Sequence, residues 1–228
     1  MMKKNSLQEG SQNYYSKVNV YDRFSQAEDY KKKVINFLIP KIKGKIVLDL
    51  GCGSGRYASL LAHLTKKYYC LDISEQQIKL AKKNTKNIKN IKFICSSAEN
   101  IRLNKKVDVV ISSWVISTVQ SFRKRANILN QALKVLQTKG EIYLIENDFK
   151  GEFENIRMHP KRTKKFIKWL GKKGFKQLKK INTYFKFKSV EEAKNIFNLI
   201  WGRRVSNKIK TNIINHKILI FKNILKTN

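Results

Sequence analysis

The stretch Ile46-Val-Leu-Asp-Leu-Gly-Cys-Gly-Ser-Gly-Arg-Tyr57 decides how the rest of the chain folds. Its opening, Ile46-Val47-Leu48, is an unbroken apolar run of the kind that forms a strand buried on both faces of a parallel sheet. Three glycines follow at alternate positions, Gly51, Gly53 and Gly55, and helix-forming residues begin at Tyr57. Strand, glycine turn and helix in that order make the front half of a nucleotide-binding βαβ unit, because glycine reaches positive φ and lets a ligand approach the main chain. The neighbours narrow the ligand. Asp49 lies two residues before the first glycine, where a carboxylate would repel a pyrophosphate but attract an ammonium group. Residue 56 is Arg, so the spacing also departs from the dinucleotide pattern G-x-G-x-x-G.

Working outward, Tyr68-Tyr-Cys-Leu-Asp72 reads as a second strand ending in an acid 21 residues after Gly51. At that distance a carboxylate meets the ribose of a Rossmann-type ligand, where it accepts charge-assisted hydrogen bonds from a vicinal diol. Ser74 with Gln77 supplies the cap of the next helix, over 75–84, which frees Asp72 from that task. Asp49-Leu-Gly-Cys-Gly-Ser-Gly55 resembles the first motif of the class I S-adenosylmethionine-dependent methyltransferases, and Asp72 resembles the acid of their second. The resemblance runs over about residues 25–150. It implies S-adenosyl-L-methionine as cofactor, with Asp49 near its ammonium, Gly51, Gly53 and Gly55 beneath it, Asp72 on the ribose and Ile73 against the adenine face. Where this family often has Asp-Ala-Glu after the third strand, Ile91–Cys95, this chain has Ser97-Ala98-Glu99, so the adenine contact would pass to Ser97 or to the backbone of Ala98 and Glu99. Ser113, in the loop after the fourth strand (107–111), completes the expected cofactor set.

The chain has 228 residues, a size that suits one α/β domain with short additions, and 42% hydrophobic content is enough for a full core. No apolar run is long enough to span a membrane, and the basic start Met1-Met2-Lys3-Lys4 has no apolar segment behind it, so a cytoplasmic protein with no membrane partner is expected. Cys52, Cys70 and Cys95 lack metal-ligand spacing and read as small buried residues in a reducing compartment; no metal is expected. The net charge of +33 raises nucleic acid as a partner. Against that, Lys is abundant throughout the chain and no recognisable RNA or DNA module is present.

The expected fold is α/β and Rossmann-like: a doubly wound, mostly parallel seven-stranded sheet with an antiparallel C-terminal hairpin and a helix inserted before the last strand. Residues 1–24 form an N-terminal arm or lid, and 25–228 a single methyltransferase domain, with a cofactor half at 44–120 and substrate-side elements at 146–212. Ser25-Gln-Ala-Glu28 reads as a capping box that starts a helix at Gln26, which Pro40 ends. A fifth strand spans 141–146, and 148–160 reads as an irregular loop suited to substrate recognition. Phe166, Trp169 and Leu170 make the inner stripe of a helix whose lysines face solvent. Ile181, Thr183, Phe185 and Phe187 alternate as in a strand, Ser189 caps a helix to about Trp201, and His216–Phe221 is the last strand.

Methyl transfer from a sulfonium is a direct displacement, so the protein chiefly aligns the partners and excludes water. An oxygen or protonated nitrogen acceptor benefits from a base, and Glu146, His159 and Asp148 are candidates near the pocket mouth. For His159 a plain surface-loop histidine is the competing reading. Glu146 and His159 are taken as the catalytic pair, and Tyr14, Tyr15, Trp114 and Asp148 as substrate-binding. The loop 112–119 has neither an Asn/Asp-Pro-Pro-aromatic tetrad nor, anywhere in the chain, a Pro-Cys pair, which tells against adenine-amino and cytosine-C5 methylation. A small-molecule acceptor for O-, N- or C-methylation is therefore expected, on a monomer or homodimer. An RNA methyltransferase and a non-catalytic cofactor-binding protein stand as alternatives.

Overall fold

The computed structural model describes residue 14 and residues 16–223. Tyr15 and residues 1–13 of the expected arm lie outside them. The strands are β1 (Ile46–Leu50), β2 (Lys67–Asp72), β3 (Ile91–Cys95), β4 (Val107–Ser113), β5 (Leu136–Asn147), β6 (Phe175–Lys186) and β7 (Ile213–Asn223). They form one seven-stranded sheet in the order β3-β2-β1-β4-β5-β7-β6. The first five run parallel, and β7 enters antiparallel between β5 and β6. This is the Rossmann-like architecture expected from the sequence, closing hairpin included.

The helices are α1 (Val18–Ala27), α2 (Lys33–Ile42), α3 (Arg56–Leu61), α4 (Glu75–Asn84), α5 (Phe122–Lys134), α6 (Glu152–Arg157), α7 (Pro160–Lys172), α8 (Val190–Trp201) and α9 (Arg203–Ser206). Alternation along β1 divides them between two layers. Val47 points into a core with Leu38 of α2, Leu61 of α3 and Ile78 of α4, whereas Leu48 and Leu50 point into a second core with Leu129 of α5 and Leu170 of α7. Fully burying a Val or Leu side chain contributes about 1.5–3 kcal/mol, so a central strand apolar on both faces is held firmly by both layers. A third cluster joins Phe24 of α1, Phe153 of α6, Phe197 of α8 and Phe185 of β6. It gathers the helices that the doubly wound core leaves over.

Four local readings need correction. No capping box forms at Ser25: α1 already runs from Val18 through it, and the Ser25 hydroxyl donates to the Asp22 carbonyl. Glu28 instead pairs with Arg56, and Asp29 accepts the N–H groups of Lys33 and Val34 to start α2. Pro40 does not end that helix, which continues to Ile42. The stretch 148–160 is not an irregular loop throughout, because it contains α6, whose Phe153 and Ile156 are anchored in the aromatic cluster. Cys95 is exposed rather than buried, at the end of the edge strand β3. By contrast, α4 and β3 have the bounds read from the sequence, and Ser74 accepts the N–H of Gln77 as expected.

Candidate active site

The sheet order reverses where β1 lies between β2 and β4, and ligands of open α/β sheets bind beyond the carboxyl ends of the strands at such a point. A cavity of about 230 Å³ opens there. Its floor is the glycine turn after β1. Gly51 has φ of 75°, and an added Cβ would stand 2.2 Å from Cγ2 of Val115, so the turn and the loop after β4 fit together only without a side chain. The N–H groups of Gly51 and Cys52 both donate to the Leu71 carbonyl, tying the turn to β2.

At the end of β2 the Asp72 carboxylate borders the cavity. Its Oδ1 accepts the N–H of Ser74 (2.9 Å), and its Oδ2 accepts the N–H of Gly53 (3.0 Å) and the hydroxyl of Tyr14 (2.7 Å). Burial raises its pKa, and these donors oppose the rise. Ile73, Ala98, Ser113 and Trp114 join Gly51, Gly53, Asp72 and Tyr14 around the same cavity. Trp114 has a φ of 61°, rare for an aromatic residue, while its N–H donates to the Ile145 carbonyl.

Other expected site residues stand elsewhere. Asp49 is buried behind the turn, does not border the cavity, and accepts the Tyr68 hydroxyl at 3.1 Å. Burial brings its pKa up to about 7. Gly55 packs against Ala81, and neither Ser97 nor Glu99 reaches the cavity wall. Asp148 is buried in an ion pair with Lys180. Glu146 and His159 share a second, much smaller cavity with Arg125, Arg157 and Arg162.

Glu146 is fully buried, and burial pushes its pKa up to about 7 against the pull of Ser117, Arg125 and Arg157. The folded chain therefore keeps a proton that an unfolded carboxyl, with its ordinary value of 4.5, has already lost. Where the native state binds more protons, stability falls as pH rises. Asp49, raised from 3.8 to about 7, acts in the same direction. Urea denaturation from about pH 5 to about pH 8 should show stability declining to near neutrality and then levelling, with a slope smaller by up to one proton in Glu146→Gln. An unchanged slope in that variant would contradict the assignment.

Four residues at or beside the main cavity carried no site signal in the sequence. Glu28 and Arg56, both buried, border it and pair at 2.8 Å. The Arg56 guanidinium also donates to the carbonyls of Ser25 and Glu28. Tyr57 completes that wall. Behind it His216 of β7 lies with Nδ1 3.4 Å from Glu28 Oε1 and Nε2 2.8 Å from Asn147 Oδ1. Adjacency of Arg56 to the glycine turn was the one available clue. The partners of Glu28 lie far away in sequence.

A profile described as a methyltransferase domain matches residues 41–199. Phosphoethanolamine N-methyltransferase 3 of Arabidopsis thaliana is 27% identical over 59% of this chain and 29% of its own length. The tRNA/tmRNA (uracil-C(5))-methyltransferase of Campylobacter hominis is 30% identical over 60% of this chain and 42% of its own. The chain thus spans less than half the length of either of these curated relatives. The N-methyltransferase NodS of Bradyrhizobium japonicum, solved with S-adenosyl-L-homocysteine, superposes with a TM-score of 0.60 at 11% identity, covering 93% of this chain and 100% of that one. With the profile spanning more than half of its length and the sheet order in agreement, the chain belongs to the methyltransferase-domain family and has the class I S-adenosylmethionine-dependent methyltransferase fold.

Proposed function

We propose that the protein transfers the methyl group of S-adenosyl-L-methionine to a small-molecule acceptor. The observation that carries this reading is the Asp72 carboxylate at the wall of a cavity floored by Gly51 and Gly53, at the point where the sheet order reverses. Asp72 would hold the ribose hydroxyls, Ile73 and Ala98 would flank the adenine, and the open main chain of the glycine turn would let the cofactor lie close. The bound cofactor supplies a methyl carbon that its sulfonium has already activated. What the chain adds is alignment and exclusion of water.

A small acceptor is favoured by the walls of the cavity. Phe24, Tyr57 and Trp114 line it together with Tyr14 and Tyr21. A pocket of this size walled by aromatic rings suits a compact molecule rather than a polymer strand. Membrane insertion is not part of the reading: no helix among the described residues is long and apolar enough to cross a bilayer. Incubating the protein with methyl-labelled cofactor and a cell extract, then separating RNA, protein and metabolites, should place the label in the metabolite fraction. Label confined to RNA would overturn the acceptor class and point to the basic surface instead.

A further inference from the structure

Resting on the methyl-transfer reading above, we infer that Glu28 is the catalytic base for the acceptor and that His216, backed by Asn147, is its positioning partner. Glu28 stands on the wall of the cavity that Phe24, Tyr57 and Trp114 also line. Its two carboxylate oxygens have different surroundings. Oε2 is committed to Arg56 at 2.8 Å. Oε1 is enclosed, makes no hydrogen bond of full geometry, has the Trp114 indole as a polar neighbour, and faces Nδ1 of His216, which is likewise unbonded.

The protonation of His216 follows from its contacts. The ring is fully buried, and desolvation together with the cationic Arg157 and Arg56 lowers its pKa well below the ordinary value, so it is neutral. A neutral imidazole carries one N–H. Nε2 lies 2.8 Å from Asn147 Oδ1 and donates to it, which leaves a lone pair on Nδ1. Two lone pairs facing each other at 3.4 Å in a desolvated site repel until a proton lies between them. The pair is thus built to receive one proton. Burial also raises the pKa of Glu28, which makes it a better base, while Arg56 and the Trp114 indole limit the rise and Asp29 adds to it. Arg56 keeps the carboxylate fixed, and Trp114, with its unusual backbone, lines the same cavity beside it.

A lone pair of the acceptor forms the bond to the methyl carbon, the carbon–sulfur bond breaks with its electrons passing to sulfur, and the acceptor's proton goes to the Glu28 carboxylate, where His216 Nδ1 shares it. The products are the methylated acceptor, the neutral thioether and a protonated Glu28. That proton is lost to solvent once product leaves. An acceptor bearing a hydroxyl or a protonated amine needs such a base; one attacking through an already neutral, proton-free atom does not.

Two measurements test this. The chain has three histidines, so nitrogen-resolved NMR of the ring resonances is simple, and His216→Gln identifies the signal by its loss. His216 should show the Nε2-protonated tautomer, and its Nδ1 shift should titrate with Glu28 above the ordinary carboxylate range, a movement absent from Glu28→Gln. An Nδ1-protonated ring, or a shift indifferent to Glu28→Gln, would overturn the pairing. In the transfer assay with cell extract, Glu28→Gln should keep calorimetric affinity for S-adenosylmethionine within about threefold and lose on the order of 10²-fold in transfer rate. The loss should shrink at high pH as the acceptor deprotonates itself, and His216→Gln should move the pH profile with a smaller loss. A Glu28→Gln enzyme with the wild-type rate and profile would overturn the inference alone. A wild-type protein that fails to bind the cofactor would overturn the methyl-transfer reading and the inference with it.

Discussion

Replacing Asp72 with alanine is expected to weaken S-adenosylmethionine binding on the order of 10²-fold in titration calorimetry, without unfolding the protein. The carboxylate is nearly buried at the end of β2 and borders the cavity, so hydroxyls of a bound ribose would meet it in a low-dielectric surrounding. A hydrogen bond to a charged group contributes about 1.5–3 kcal/mol, so losing a diol's pair of contacts gives about 3 kcal/mol, or two decades of affinity. Part of the loss is indirect, since the N–H groups of Ser74 and Gly53 lose their acceptor and the glycine turn loosens. Asp72→Asn keeps a neutral acceptor and should fall between the two. Binding by Asp72→Ala within about threefold of wild type would mean that the ligand lies elsewhere.

The second large effect concerns stability. Arg56→Met should lower the free energy of unfolding by about 3–5 kcal/mol in urea denaturation, because it leaves Glu28 buried without its cation. Arg56 is itself buried, meets Glu28 Oε2 at 2.8 Å, and also ties the end of α1 through the Ser25 and Glu28 carbonyls. In the double variant Arg56→Met with Glu28→Gln, much of the loss should return, since no unpaired carboxylate remains. A single-variant loss below about 1 kcal/mol would show that water or a rearranged partner satisfies Glu28. The exposed pair Glu75–Lys79 on α4 is the useful contrast: it is closed to the same 2.8 Å but solvated, and its removal should leave the transition midpoint in place.

Glu28 shows where reading the sequence misleads. Ser25 and Glu28 have the spacing of a capping box, a rule that concerns only local backbone N–H groups. Tertiary structure offered Glu28 a buried guanidinium from α3, which outweighs a cap worth about 1 kcal/mol. Glu146 and His159 were misplaced for a related reason. Glu146 ends β5 and His159 lies beyond it, but Glu146 points into the layer under α7, where Arg125 and Arg157 meet it, and not toward the main cavity. One step in register decides the face of a strand, and periodicity does not say which face the site will use.

What the sequence determined by itself is the cofactor end: the turn from β1, the acid ending β2, the capped helix α4 and the order of strands. These follow from contiguous residues, because a glycine turn, a cap and an alternating strand are each made within one short segment. The opposite wall of the cavity was assembled by tertiary structure, with Trp114 the one member the sequence had marked. Phe24 of α1, Arg56 of α3, Trp114 after β4 and His216 of β7 come from four separate elements, and no spacing rule links them. They meet because the doubly wound sheet leaves a hollow where its strand order reverses, and the helices it does not need for its own core close over that hollow.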